Sequence, residues 1–195
     1  MNENLKISDD ELMLSFQKGD ESAFNEIVRR YKINLANFVF RFIGSYDDSL
    51  DIVQETFIRV FKSRHNYKNI AKFSTWIYTI ASNLAKTELR RRKRYQIFTL
   101  NIFSSKSDES TYDIPDTSYM PDIETDKIIR STIVQKGLNK LAPIFKEVLI
   151  LRDIMELSYD EISVITRLPV GTVKSRINRG RLLLHDILIK IKNQL

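Results

Sequence analysis

The 195-residue chain contains no cysteine, which excludes disulfides and thiolate metal sites and fits a reducing compartment. Histidine is scarce too: His65 and His185 are the only two, so metal ligation has little to draw on. No metal, no cofactor and no catalytic residue is expected, because no nucleophile–base constellation appears. No apolar run approaches the ~20 residues of a membrane span. The opening, MNENLKISDDELML, is acidic and polar, unlike a secretory signal peptide. These absences lead to the expectation of a soluble, cytoplasmic, non-enzymatic protein without membrane insertion. What is present is a 43% hydrophobic composition, enough for a packed core, and a net charge of +6. A pI near 9.4 favours an anionic partner.

Helical patterning dominates. Ser8 with Glu11 forms a capping box that opens a short helix, which Gly19 can end. A longer helix is predicted from about Asp20 to Ile43, with Phe24, Ile27, Val28, Tyr31 and Leu35 on the helical period and Gly44 closing it. Another runs to about Arg64. After a break at HNYKNIAK, Ser74 is a plausible N-cap for a helix through Trp76, Ile80 and Leu84 to Arg94. Composition then shifts. Between 101 and 126, seven acids stand against Lys106 alone, and Pro115 and Pro121 lie among serines and threonines. This reads as an extended acidic linker. Helical period resumes near Asp126. The expected fold is all-α: a first domain over 1–96, a linker over 97–125 and a second domain over 126–195.

The second domain carries a helix-turn-helix pattern. Ser158 with Glu161 is a second capping box, and Ile162 and Ile165 point inward from the helix it starts. A turn at Thr166–Leu168 follows, and Pro169 sits where the next helix begins. On that helix Val173, Ile177, Gly180, Leu184, Leu188 and Ile191 share one side. Thr172, Ser175, Asn178 and Arg179 share the other, flanked by Lys174 and Arg176. Small hydroxyl and amide groups mixed with cations suit base edges and phosphates, and the second helix of such a motif enters the major groove. A solvated basic helix in an α-bundle is the plainer alternative.

The segment resembles region 4 of the extracytoplasmic-function (ECF) sigma factors, with the pattern L-S-Y-x-E-I-A-x-x-L-G-x-P-x-G-T-V-K-S-R. Leu157, Ser158, Tyr159, Glu161, Ile162, Pro169 and the run Gly171–Arg176 match it. Ser163, Thr166 and Arg167 depart from it, and Arg167 replaces the glycine of a left-handed turn, where a side chain carries some strain. The resemblance implies recognition of the −35 element by Thr172, Lys174, Ser175, Arg176, Asn178 and Arg179, and contact with the β flap of core RNA polymerase.

The first domain distinguishes this family from other helix-turn-helix proteins. In DIVQETFIRVFKSR (51–64), Ile52, Val53, Thr56 and Val60 form one stripe, while Phe57, Ile58 and Phe61 form a second beside Asp51, Gln54 and Glu55. Burial of both stripes within the domain is one reading; a docking face for a protein partner is the other. The segment is similar to sigma region 2.2, which implies that Asp51, Gln54, Glu55 and Ile58 contact the β′ clamp helices. FSTWIYTIASNLAKTELRRRKR (73–94) places Phe73, Trp76 and Tyr78 ahead of Asn83 and a basic end, with six Lys or Arg among nine positions from Lys86 to Arg94. Aromatics near cations can stack unpaired bases, although Trp76 by itself reads more readily as core than as a stacking platform. The stretch resembles regions 2.3 and 2.4, implying −10 contacts by Trp76, Asn83, Lys86, Arg90 and Arg91 and base trapping by the loop NYKNIAKF.

Both resemblances together imply a non-catalytic sigma factor whose partners are core RNA polymerase, promoter DNA and an anti-sigma factor. The linker fits physically. Its 29 residues reach roughly 95–105 Å when extended, enough for the ~60 Å between promoter elements at ~3.4 Å per base pair. Its acids could also lie against Arg90–Arg94 or the 174–181 helix. A stand-alone helix-turn-helix regulator is the first alternative, disfavoured by 51–64; a recombinase-like enzyme is the second, disfavoured by the missing catalytic set.

Overall fold

The structure, a computed structural model, describes residues 7–102 and 125–193. Among these residues the secondary structure is helical, without strands. In chain order the α-helices are α1 (Asp9–Gln17), α2 (Glu21–Ile43), α3 (Tyr46–Lys62), α4 (Phe73–Ile102), α5 (Thr125–Lys140), α6 (Pro143–Leu149), α7 (Tyr159–Thr166) and α8 (Val170–Lys192).

Local chemistry sets the boundaries. Ser8 accepts from the Glu11 amide while the Glu11 carboxylate takes the Ser8 amide, so the predicted capping box opens α1. The Asp20 side chain accepts from the Ser22 and Ala23 amides at the start of α2. Gly44 ends α2 at φ 76°, a left-handed conformation that glycine adopts without a Cβ penalty.

Two boundaries differ from the sequence expectation. Helix α4 begins at Phe73, so Ser74 lies in its first turn rather than capping it. The Phe73 amide donates instead to Asp10 at 2.8 Å, a partner distant in sequence and supplied by α1. Helix α4 also continues to Ile102, past the expected stop near Arg94 and into the segment assigned to the linker. Residues 95–102 contain no glycine or proline to break it. The remainder of the expected linker, 103–124 with Asp108, Glu109, Asp113 and Asp116, lies outside the described residues.

Helices α1–α4 form one bundle around Met13, Phe16, Ile27, Leu35, Phe38, Phe42, Phe73 and Ile77, all essentially inaccessible. Each such side chain contributes roughly 1.5–3 kcal/mol by leaving water. Helices α5–α8 form the second unit around Leu138, Val148, Leu149, Ile162, Ile165, Val173 and Ile177. Gly180 eases its central contact: a Cβ there would lie 3.0 Å from Leu149 Cδ1 and 3.3 Å from Phe145 Cβ, so a larger residue would require α6 side chains to give by a few tenths of an ångström. Between α6 and α7 the backbone widens into a π-helical turn at Ile150–Ile154. The two units touch, and their buried residues form one continuous cluster.

Candidate polymerase and nucleic-acid interfaces

Helix α3 divides as its two stripes suggest. Ile52, Val53, Thr56 and Val60 are buried. The second stripe splits again. Phe57 and Phe61 turn toward Phe24, at 6.4 and 5.4 Å between ring centres, and Phe61 also meets Phe16 at 5.3 Å. Phe61 nevertheless keeps 40% of its surface exposed and Ile58 45%, beside exposed Asp51 and Gln54. Glu55 is half-buried and ion-paired to Arg59 at 2.8 Å. The same outer face gains Tyr46 and Leu50, which sequence reasoning missed; both are exposed. Their i, i+4 spacing ahead of Gln54 and Ile58 was the available signal. The result is an apolar strip framed by polar groups, the composition of a protein-docking surface.

The loop between α3 and α4 is held at both ends. Tyr67 and Phe73 are buried, and Asp10 serves both, accepting from the Tyr67 hydroxyl and from the Phe73 amide. Burial, followed by the Asp10 hydrogen bond, drives the Tyr67 phenol pKa well above its usual value. Gln17 adds bonds to the Arg64 and Tyr67 carbonyls at 2.6 and 2.9 Å. Between the anchors Lys68, Asn69, Ile70, Ala71 and Lys72 face solvent, with Ile70 87% exposed at the tip. Trp76 is half-buried, its ring 5.3 Å from Tyr67 and 6.0 Å from Phe73. It forms the floor on which this loop rests.

Along α4, Trp76, Asn83 and Arg90 recur every seven residues and share one face, spanning roughly 21 Å at 1.5 Å per residue. Asn83 and Arg90 are exposed and Lys86 is half-buried. The basic end is not uniform. Glu88 pairs with Arg91 at 2.8 Å and with Arg92 at 3.0 Å, and Arg92 also meets Asp48 and the Ile43 carbonyl. The Arg91 and Arg92 hydrogen bonds, working against partial burial, hold the Glu88 carboxyl below its usual pKa. Arg92 is therefore a strut from α4 to α3. Arg90, Lys93 and Arg94 are exposed.

Helices α7 and α8 form the expected pair. The Ser158–Glu161 capping box is present, and Arg167 ends α7 at φ 56° and ψ 40°, a left-handed conformation reached without glycine. Three residues, 167–169, separate the helices; Pro169 occupies the N-cap of α8 rather than its first turn. Val173, Ile177, Gly180 and Ile191 are buried, whereas Ser175, Asn178, Arg179 and Lys174 are exposed and Thr172 and Arg176 half-exposed. Tyr159 sits between two cations, Arg152 at 4.8 Å and Lys174 at 5.5 Å from its ring centre. Lys174 is thus held at the edge of the motif while Ser175, Asn178 and Arg179 project from its front.

Comparison with known proteins agrees with this layout. The Sigma-70 region 2 family matches residues 27–95, and the Sigma-70 region 4 family matches 131–184. SigW, an ECF RNA polymerase sigma factor of Bacillus subtilis (strain 168), is 34% identical over 165 residues, covering 85% of this chain and 88% of SigW. The ECF RNA polymerase sigma-E factor of Escherichia coli (strain K12) is 33% identical over 177 residues, covering 90% of this chain and 92% of its own. The chain belongs to the ECF RNA polymerase sigma factors. Two solved structures share the fold. CnrH, in complex with the cytosolic domain of CnrY, has a TM-score of 0.69 at 22% identity, covering 93% of this chain and 97% of CnrH. The sigma factor RpoE of Bartonella quintana, in complex with the anti-sigma factor NepR, has a TM-score of 0.65 at 23% identity, covering 85% of this chain and 96% of its own.

In this sigma factor, regions 2 and 4 meet along α2 and α4. Glu147 of α6 is only 6% exposed. It accepts from the Ser82 hydroxyl and pairs with Lys86 at 2.7 Å, both on α4. Glu161 of α7 pairs with Lys72 at 3.1 Å. The Tyr78 hydroxyl donates to Met155 Sδ at 3.3 Å. Arg41, near the end of α2, donates to Ser131 and Gln135 of α5, while its buried Nε has no acceptor. Lys146 is 5% exposed with the Phe42 carbonyl as acceptor at 3.3 Å, and burial lowers its pKa to about 8. No helix among the described residues is long and apolar enough to cross a membrane.

Proposed function

We propose that this sigma factor docks on core RNA polymerase through the outer face of α3 and reads promoters with two separate surfaces. Tyr46, Leu50, Asp51, Gln54, Glu55 and Ile58 take the polymerase clamp. The loop 66–72, Asn83, Lys86, Arg90 and Arg91 take the −10 strand, with Trp76 as the floor beneath the loop. Thr172, Ser175, Asn178 and Arg179 read the −35 element from α8, with Lys174 and Arg176 on flanking phosphates. The domain limits 1–96 and 126–195 are part of this reading, as are a cytoplasmic location and the absence of catalysis by the chain itself. The neighbours solved with CnrY and NepR support regulation by an anti-sigma partner.

The exposed apolar strip on α3 carries the proposal. A stand-alone DNA-binding regulator has no use for Leu50 and Ile58 turned outward beside Asp51 and Gln54, whereas a subunit of polymerase does. The test is transcription in vitro with purified core polymerase on a library of genomic fragments. Initiation at a discrete promoter set that requires the chain is the expected result. A chain that binds DNA yet neither joins core enzyme nor initiates transcription would sink it.

A further inference from the structure

The exposed turn 68–72, assigned above to the −10 strand, is tied down by two side chains of α1. Its flanking residues converge on a single oxygen: Asp10 Oδ1 accepts from the Tyr67 hydroxyl and, at 2.8 Å, from the Phe73 amide. Two helical turns further along α1, Gln17 donates to the Arg64 and Tyr67 carbonyls at 2.6 and 2.9 Å. Neither residue lies in the segment matched by the region 2 family, which begins at residue 27. We propose that Asp10 and Gln17 are positioning residues that set the base selectivity of the promoter-reading loop from a helix outside it. The inference rests on the assignment of that loop to the −10 strand.

Helix α1 is fixed independently of the loop. Arg30 of α2 donates to Asp9 at 2.6 Å and to the Ile7 carbonyl at 2.8 Å, and the Tyr31 hydroxyl donates to Asp9 at 2.6 Å. Adjacent carboxylates thus divide the work, Asp9 anchoring α1 on α2 and Asp10 gripping the loop. Burial places both ends of the loop in the core, with the Tyr67 and Phe73 rings 5.9 Å apart. Apolar contact is not directional, however, whereas hydrogen bonds are. By sharing one acceptor, the two bonds fix the Tyr67 hydroxyl against the Phe73 backbone, and with it the span that residues 68–72 must bridge. The Tyr67 hydroxyl also lies 3.2 Å from the Ala71 carbonyl, and the Ile70 amide donates to the Lys68 carbonyl at 2.6 Å. The anchor at the base is therefore connected to the tip. All five residues of the turn are exposed, so they have little packing of their own to hold them. A loop ordered in advance gives up less freedom when it captures a base, and it holds its contacts closely enough to reject a misfit.

The test assembles the full chain with core polymerase, captures single-stranded DNA from a random-sequence pool and sequences what is bound. Asp10→Ala removes the shared acceptor, whereas Asp10→Asn keeps an oxygen in its place. The alanine variant should flatten base preference at one or two adjacent positions on the order of ten-fold, and the asparagine variant should restore it. Tyr67→Phe, which removes the buried donor, should flatten the same positions and add little when combined with Asp10→Ala. Gln17→Ala acts through the other pair of bonds, should flatten the same positions and serves if Asp10→Ala folds poorly. A profile unchanged in both alanine variants would overturn the positioning role. So would a loss spread evenly over every position in step with a lower melting temperature. Asn69→Ala with Ile70→Ala at the tip separates the two readings. If the tip variant alters the profile and the α1 variants do not, the −10 assignment stands and the positioning role falls; if the tip variant leaves the profile parental, the assignment of the loop itself fails.

Discussion

Lys146→Met tests how the contact between the two units is built. Lys146 is a buried cation with a carbonyl as its acceptor, and burial lowers its pKa from 10.5 to about 8. At about 1.4 kcal/mol per unit this shift costs the folded chain about 3 kcal/mol wherever the lysine stays charged. Below pH 8 that cost is present in full. Between pH 8 and 10.5 the unfolded chain keeps a proton that the folded chain has released, so stability rises with pH. Near pH 10 an opposing effect begins. Burial pushes Tyr78 up to about 12, and burial with the Asp9 and Asp10 bonds raises Tyr31 and Tyr67 as well. Unfolded tyrosines then ionise first and stability falls, so the parental chain should be most stable near pH 10. Methionine keeps most of the apolar stem, removes the charge and gives up the Phe42 bond, worth about 1.5–3 kcal/mol for a charged donor. At pH 7 the variant should be more stable by up to about 1.5 kcal/mol, and by pH 10 the order should reverse. Urea unfolding of both chains from pH 7 to 10 measures the difference. A stability difference that stays constant across that range would refute the reasoning.

Three further outcomes are expected. Leu50→Ala with Ile58→Ala should weaken core polymerase binding by roughly 1–3 kcal/mol at a docking centre, while thermal stability changes by only a fraction of that; unchanged affinity in a binding titration counts against the α3 face. Arg179→Ala should relax preference at one −35 position by about 1–3 kcal/mol, whereas Lys174→Ala should weaken all sites alike and reduce the salt slope by roughly one; identical behaviour on single-base promoter variants would mean the facing of α8 is wrong. Arg167→Gly should stabilise the chain by up to about 1 kcal/mol by relieving the left-handed backbone, offset in part by unfolded-state entropy; a lower melting temperature would show that the arginine makes a compensating contact.

Much of this protein was legible from local patterns, because those patterns act over one or two helical turns. Both capping boxes, the Gly44 stop, the left-handed residue at 167 and the buried side of α8 follow from nearest neighbours and the helical period. So does the division of α3 into a core side and an outer side. The region motifs carried the family resemblance for the same reason: their residues are contiguous and their spacing survives in one dimension.

What only the tertiary structure decided involves partners far apart in the chain. Asp10 replaces Ser74 as the group that receives the first amide of α4, because folding α1 across the loop brings a carboxylate to it from sixty-three positions away. Arg92 leaves the basic run to brace α3, since Asp48 and the Ile43 carbonyl lie beneath it. Phe57 packs half-buried against Phe24, while Phe61, although its ring meets Phe16 and Phe24, stays as open to solvent as Ile58, a choice no wheel can make when all three are apolar. The pairing of Glu147 with Lys86 and of Glu161 with Lys72 is the furthest removed from sequence. Glu161 already serves the capping box of its own helix, and for both acids the lysine partner exists only once two separately patterned bundles have been brought face to face.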